Sequence, residues 1–284
     1  MKSDWPLGVV WRRGFTIIEI LVVIVVIGIL ASLMLPAIGR TKTSAQRTRC
    51  VSNLGGLARG LISFAGDNRG RLSWMLTPRL QRAHFSPAGG RDVEKLSWDY
   101  YSPTTDTIFA ASAVKDGLAA GRLLLSPCDP DRQADNSVIR DNWVRFDASE
   151  GRRIEPATGI SYVLIQGGDV ARPTTMLGAT RNLVGQDPAE PENFNMLDDM
   201  GSARWVGHDD NGMYMQEFAL AMLESNQGQY VLADGSAAKS QDSDLMDEER
   251  GYGLVAESHI MSVGGLSKGE ASRMIIREST APFV

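Results

Sequence analysis

At 284 residues the chain is long enough for one large or two small domains with a proper core. Its 43% hydrophobic and 22% charged content excludes general disorder, and a formal net charge of −5 argues against a nucleic-acid partner, which leaves a basic footprint. Two cysteines, Cys50 and Cys128, fit no metal spacing and are too few for a disulfide scaffold.

The first fourteen residues are basic, with Lys2, Arg12 and Arg13 against Asp4. From Phe15 to Ile38 Glu19 is the only charge. As a helix at about 1.5 Å per residue this run reaches about 36 Å, enough for a bilayer core of about 30 Å. It is longer than the apolar stretch of a secretory signal, and no clear A-x-A-like cleavage site follows it. A plain signal anchor gives no reason for Glu19, because a carboxylate inside hydrocarbon costs about 2.5–3.5 kcal/mol. Counting basic residues leaves orientation open, since Arg40, Lys42, Arg47 and Arg49 follow the span as Lys2, Arg12 and Arg13 precede it.

Arg12-Arg13, then Gly14, then Phe15-Thr16-Ile17-Ile18-Glu19 and an apolar run containing Pro36 resemble the class III signal of type IV prepilins and type II secretion pseudopilins. The resemblance implies a cytoplasmic leader over 1–14 and cleavage between Gly14 and Phe15. The enzyme would be an inner-membrane prepilin peptidase that also N-methylates Phe15. Residues 15–38 would be a transmembrane and filament-core helix of a single-pass inner-membrane protein, its N-terminus cytoplasmic and its head extracytoplasmic. Implied partners are other pilin or pseudopilin subunits, an assembly platform and its ATPase, in a filament or periplasmic pseudopilus. In that setting Glu19 meets the Phe15 ammonium of a neighbouring subunit. Each costly charge then gains a partner, and the pair specifies axial register.

Past Pro36, which removes a helical hydrogen bond and is expected to kink or locally melt the helix, the sequence becomes polar but keeps its periodicity. Val51, Leu54, Leu57, Ala58, Leu61, Ile62 and Ala65 make one apolar stripe, so residues 39–69 read as the amphipathic half of a spine helix. Gly55, Gly56 and Gly60 weaken it, so packing must hold it. Gly66-Asp67-Asn68-Arg69-Gly70 marks its end. Residues 70–284 read as an α+β head with an antiparallel sheet against the helix. Expected strands are Arg122–Leu125, Gly159–Ile165, Gln229–Ala233 and His259–Val263, with residues 187–201 as a surface loop and Asp234-Gly235 as a hairpin turn.

A second resemblance lies in the head. Cys50-Val51-Ser52-Asn53-Leu54, Asp67-Asn68-Arg69-Gly70, Ser126-Pro127-Cys128-Asp129-Pro130, Ile160-Ser161-Tyr162 and Val231-Leu232-Ala233-Asp234-Gly235-Ser236 are similar to motifs of a large group of prepilin-like proteins. Many of that group carry a histidine about ten residues before the Asp-Gly pair, whereas here the preceding histidine is His208. If the head lies outside the cytoplasm, Cys50 and Cys128 are expected to pair. Closing that loop stabilises by about 4 kcal/mol in the chain-entropy model; two buried free thiols are the alternative.

No catalytic residues are expected. Gly265-Leu266-Ser267-Lys268-Gly269 fits a G-x-S-x-G elbow, but no histidine follows it as an α/β-hydrolase triad requires. A glycine-rich turn into a helix near Arg273 is the simpler reading. His84, His208 and His259 are isolated, which argues against zinc. Asp242, Asp244 and Asp247 are weak calcium candidates without EF-hand spacing, as is His208-Asp209-Asp210-Asn211-Gly212. The expected function is therefore structural, as a pilin-like subunit. An anchored extracytoplasmic binding protein that uses the signal only for localisation is the alternative, and an anchored enzyme is a third class.

Overall fold

The computed structural model describes residues 16–84, 105–130, 132, 159–184, 203–210, 218–245, 254 and 275–276, apart from 78, 82, 119 and 166. Contacts divide the chain into two units, Met1–Ser44 and Ala45–Val284. Helix α1 runs Ile17–Asp67, 51 residues, and is helical through Pro36.

Within the first unit, the apolar stretch Ile17–Leu35 is long and apolar enough to cross a membrane, and none of it is buried by protein. Its few polar atoms turn inward on the backbone: the Ser32 hydroxyl donates to the Ile29 carbonyl at 2.8 Å. A helix apolar on all sides needs an apolar surrounding, and the described residues do not supply one.

In the second unit, the predicted stripe is a core face. Leu54, Leu57, Ala58, Leu61 and Ala65 are buried and Phe64 joins them, while Val51 and Ile62 are half-buried. The helix stops where expected: Arg69 and Gly70 both have positive φ, 60° and 77°, and the Gly70 amide reaches back to the Ala65 carbonyl at 2.7 Å.

Two short helices, α2 (Thr105–Ala110) and α3 (Ser112–Gly117), contribute to the same core through Ile108, Phe109 and Val114. The glycines that weaken α1 are where these neighbours come close. A Cβ added at Gly117 would lie 2.9 Å from the Gly60 Cα, and one at Gly56 3.3 Å from a Leu123 methyl. Arg122–Leu125, expected as a strand, is instead covered by a 3₁₀ turn, Gly121–Leu124. Three consecutive leucines after Arg122 have no period to separate a strand from a turn of helix. Here the Leu125 carbonyl is taken by the Asn53 side chain at 3.0 Å rather than by a ladder.

The main sheet has five strands in the order β6-β5-β2-β1-β7, every pairing antiparallel. They are β1 (Tyr162–Ile165), β2 (Met176–Thr180), β5 (Gly228–Leu232), β6 (Ala237–Ser240) and β7 (Ile275–Ile276). A separate pair joins β3 (Leu183–Val184) to β4 (Arg204–Trp205). Strands β1 and β5 fall where the sequence places them. Ile275–Ile276, beside the expected helix near Arg273, are strand, while 187–201, His259–Val263 and Gly265–Gly269 lie outside the described residues.

Both faces of the sheet are covered, which is why β1 is apolar at four consecutive positions. Tyr162 and Leu164 join the α1 core, while Val163 and Ile165 join a second cluster with Trp205 and Leu245. In β2 the alternation slips: Leu177 faces α1, but Met176 and Ala179, three apart, share the opposite cluster. A bulge between Met176 and Gly178 supplies the extra residue, since those two pair with the adjacent Leu232 and Val231.

The β5–β6 connection is the predicted Asp-Gly hairpin. Gly235 takes φ 88°, and the Leu232 amide and Ser236 carbonyl close the loop at 2.8 Å. The Asp234 carboxylate accepts the Ser236 amide at 2.7 Å and hydroxyl at 2.6 Å, which holds its pKa below the ordinary value.

One buried ion pair ties the loop after the 3₁₀ turn to the sheet. Arg181, just past β2, makes a two-pronged contact with Asp129 at 2.7 and 2.8 Å and donates to the Ala219 carbonyl at 2.8 Å. Asp129 and Arg181 are 1% and 4% exposed, so each charge depends on the other.

Two outcomes follow from this packing. The Trp205 ring lies against Gly228, where an added Cβ would sit 2.0 Å from it. Gly228→Ala should therefore lower stability by about 1–3 kcal/mol or more, read by denaturant unfolding of the detergent-solubilised chain. Among the described residues, Arg181→Met leaves the buried Asp129 with Arg132 as its remaining cation, at 3.8 Å, and should cost about 3–5 kcal/mol. Adding Asp129→Asn should recover part of that loss in the same unfolding measurement.

Candidate processing and assembly site

The sequence-derived site residues fall into two groups. Gly14 and Phe15 lie outside the described residues. Among the described residues, Thr16 with Glu19 closes the start of α1. The Thr16 amide donates to Glu19 Oε2 at 2.7 Å, and the Glu19 amide donates to Thr16 Oγ1 at 3.3 Å. This is a reciprocal capping box, in which two orphan donors of the first helical turn are satisfied by two side chains. The Thr16-Ile17-Ile18-Glu19 spacing carries that signature, which the sequence reading passed over. Glu19 thus has a local partner within its own chain, and its carboxylate is exposed at the head of the unburied apolar helix.

The second group is the set of head motifs, and the structure brings several of them together around α1. Cys50 Sγ lies 3.1 Å from Cys128 Sγ and 2.8 Å from Ser126 Oγ. Both cysteines are free thiols and fully buried. Ser126 Oγ also accepts the Cys128 amide at 3.1 Å, so one hydroxyl touches both cysteines. One turn along the helix, Asn53 holds the Leu125 carbonyl. Cys50 and Asn53 of the helix therefore grip the 125–128 segment, while Asp129 binds it to Arg181. Of the two sulfurs, Cys50 is the more acidic: the hydrogen bond between the two thiols lowers its pKa and raises that of Cys128, and burial pushes both up. Burial also pushes the Tyr162 phenol well above its ordinary value, with the Cys50 charge adding to the shift. Ser126 and Asn53 were legible only as motif members; that they enclose one cluster is a fact of the fold.

The acidic candidates are spent on backbone. Asp242 accepts the Trp205 amide at 2.6 Å at the start of the short helix α4 (Asp242–Leu245), and Asp244 accepts the Gln241 amide at 2.8 Å. Burial raises the Asp242 pKa. Asp209 accepts the Ser225 amide and hydroxyl, and Asp210 accepts the Gly207 amide and faces Arg204 at 3.5 Å. Asp247, Asn211 and Gly212 lie outside the described residues. Among the described residues no three His, Cys, Asp or Glu side chains converge as a metal site. His208 Nδ1 donates to the Leu223 carbonyl at 2.8 Å, and His84 Nε2 lies 3.1 Å from Asn68 Oδ1.

Comparison with known proteins bears on the first group. The family model described as "Prokaryotic N-terminal methylation motif" matches residues 12–35. Type II secretion system core protein G of Klebsiella pneumoniae is 46% identical over 57 residues, 20% of this chain and 41% of the relative. The protein of the same name from Escherichia coli (strain K12) is 44% identical over 57 residues, 20% of this chain and 39% of the relative. That of Aeromonas hydrophila is 42% identical over 57 residues, 20% and 40% of the respective chains. The chain thus spans about two fifths of the length of these curated relatives. No solved structure matches it. The exposed apolar helix with its Thr16–Glu19 cap therefore lies within a prepilin-type N-terminal methylation motif, and the chain is pseudopilin-like over that N-terminal region.

Proposed function

We propose that this chain is a pseudopilin-like structural subunit, cut after Gly14, N-methylated at Phe15 and assembled from the inner membrane into a pilus-like or type II secretion filament. One observation carries the reading: a fully unburied apolar helix, Ile17–Leu35, bearing a single carboxylate and lying inside the methylation motif. Such a helix needs lipid first and other helices afterwards. The partners are those the reading requires: the peptidase and methyltransferase, further subunits, and an assembly platform with its ATPase. The head then sits outside the cytoplasm. The work done is assembly rather than turnover, in keeping with relatives named as a secretion-system core protein.

Glu19 is the residue on which assembly turns. In the single chain its carboxylate accepts the Thr16 amide. Cleavage creates an ammonium at Phe15, one residue before that cap. In a filament the carboxylate of one subunit meets the ammonium of the next, and truncating one member of such a buried pair costs about 3–5 kcal/mol.

N-terminal sequencing of the membrane form should begin at N-methylated Phe15, and a bulky residue at Gly14 should leave the chain unprocessed. An intact Met1 in cells with an active prepilin peptidase would sink the reading. A pair of substitutions separates the two roles of Glu19. Glu19→Gln keeps the capping geometry, for which glutamine also serves, but removes the charge. It should be inserted and processed like wild type yet be nearly absent from sheared surface material, as should Glu19→Ala. Thr16→Ala loses one cap, worth about 1 kcal/mol, and should still assemble. Wild-type assembly of Glu19→Gln would show that capping is its whole purpose. Retention of the processed wild-type chain in membranes, with none sheared, would favour the anchored binding protein.

A further inference from the structure

We propose that Cys50 and Cys128 are an oxidation site: they close into a disulfide by exchange with a protein disulfide of the extracytoplasmic compartment, fastening the second half of α1 to the loop at Ser126–Asp129. This rests on the head lying outside the cytoplasm, as the proposed function has it. The two sulfurs come from positions 78 apart in sequence, yet lie 3.1 Å apart in the fold with both residues fully buried. Among the described residues no metal-ligand cluster accounts for that convergence. The segment between them is already held at three points, by Asn53 on the Leu125 carbonyl, by Ser126 on the Cys128 amide, and by Asp129 on Arg181. The thiols are therefore pre-aligned, and closing the bond moves little else.

The chemistry balances with one disulfide donor. Written with Cys50 as the first attacker, the step uses its thiolate, which is the nucleophilic form of a thiol. Its sulfur attacks one sulfur of the donor, breaking the donor bond and forming a mixed disulfide while the released donor sulfur takes up a proton. Cys128 then loses its proton and displaces the second donor sulfur from Cys50. Two thiols have lost two electrons and two protons, and the donor has become a dithiol. Since neither sulfur reaches solvent in the closed head, exchange precedes the final seating of the Ser126–Asp129 loop on α1.

The test uses the full-length chain, isolated from acid-quenched membranes and alkylated in denaturant before and after reduction. No label before reduction and two labels after it, on the peptides carrying Cys50 and Cys128, is the expected result. A phosphatase fused to the head in the same cells reports its location independently. Active phosphatase with two free thiols overturns the disulfide and leaves the pseudopilin reading standing. Inactive phosphatase overturns the extracytoplasmic head, and the disulfide is then decided by treating the reduced, detergent-solubilised chain with glutathione disulfide during refolding. Loss of two mass units without a glutathione adduct supports the bond; adducts alone overturn it.

Discussion

Burial of one helical stripe, Leu54 to Ala65 of α1, against the five-stranded sheet is the contact on which the head depends. Leu54, Leu57, Leu61 and Phe64 are each 2% exposed or less and each contributes about 1.5–3 kcal/mol by leaving water. That drive offsets the three glycines in the same segment, which taken alone would make it a poor helix. The glycines in turn let the chain approach at close range, with Gly60 against Gly117 and Gly56 against Leu123. Weak local propensity and tight packing are two consequences of the same missing side chains.

Polar groups around this contact define geometry more than they add stability. Asn53, Cys50 and Ser126 are placed between helix and loop, and the Asp129–Arg181 pair secures the other side of that loop. A buried ion pair is seldom worth more than a hydrophobic replacement of equal volume, but a broken one is costly, so it penalises any other arrangement of the loop. Motifs that could have signalled chemistry therefore serve to fix how a helix and a sheet meet.

The same reasoning applies at the other end of α1, where a carboxylate stands on an otherwise apolar helix. Its cost is lowered first by the chain itself, through the Thr16 amide. A charge that can be satisfied locally can wait in the membrane, and one with spare acceptor capacity can take a second partner later. Glu19 has both properties, which suits the assembly role proposed for it.

Much of this was legible in the residues. The apolar run with its single glutamate, the Arg12-Arg13-Gly14-Phe15 sequence, the stripe from Leu54 to Ala65, the stop at Arg69-Gly70 and the Asp234-Gly235 turn are all local patterns whose physics acts within a few residues. Strands β1 and β5 were visible because apolar, β-prone runs were bounded by turn residues. Strand β2 was not, because Met176–Thr180 carries a glycine and a bulge that breaks its alternation. Arg122–Leu125 is not a strand, and its three consecutive leucines are too few to carry a period. The meeting of Cys50 and Cys128 was expected from the sequence only as one of two alternatives, and it, the Asp129–Arg181 pair and the need for Gly228 to stay bare beneath Trp205 were decided by the tertiary structure. Each joins residues between 23 and 78 positions apart in sequence. Contacts of that range depend on how strands and loops stack, and no local periodicity records them.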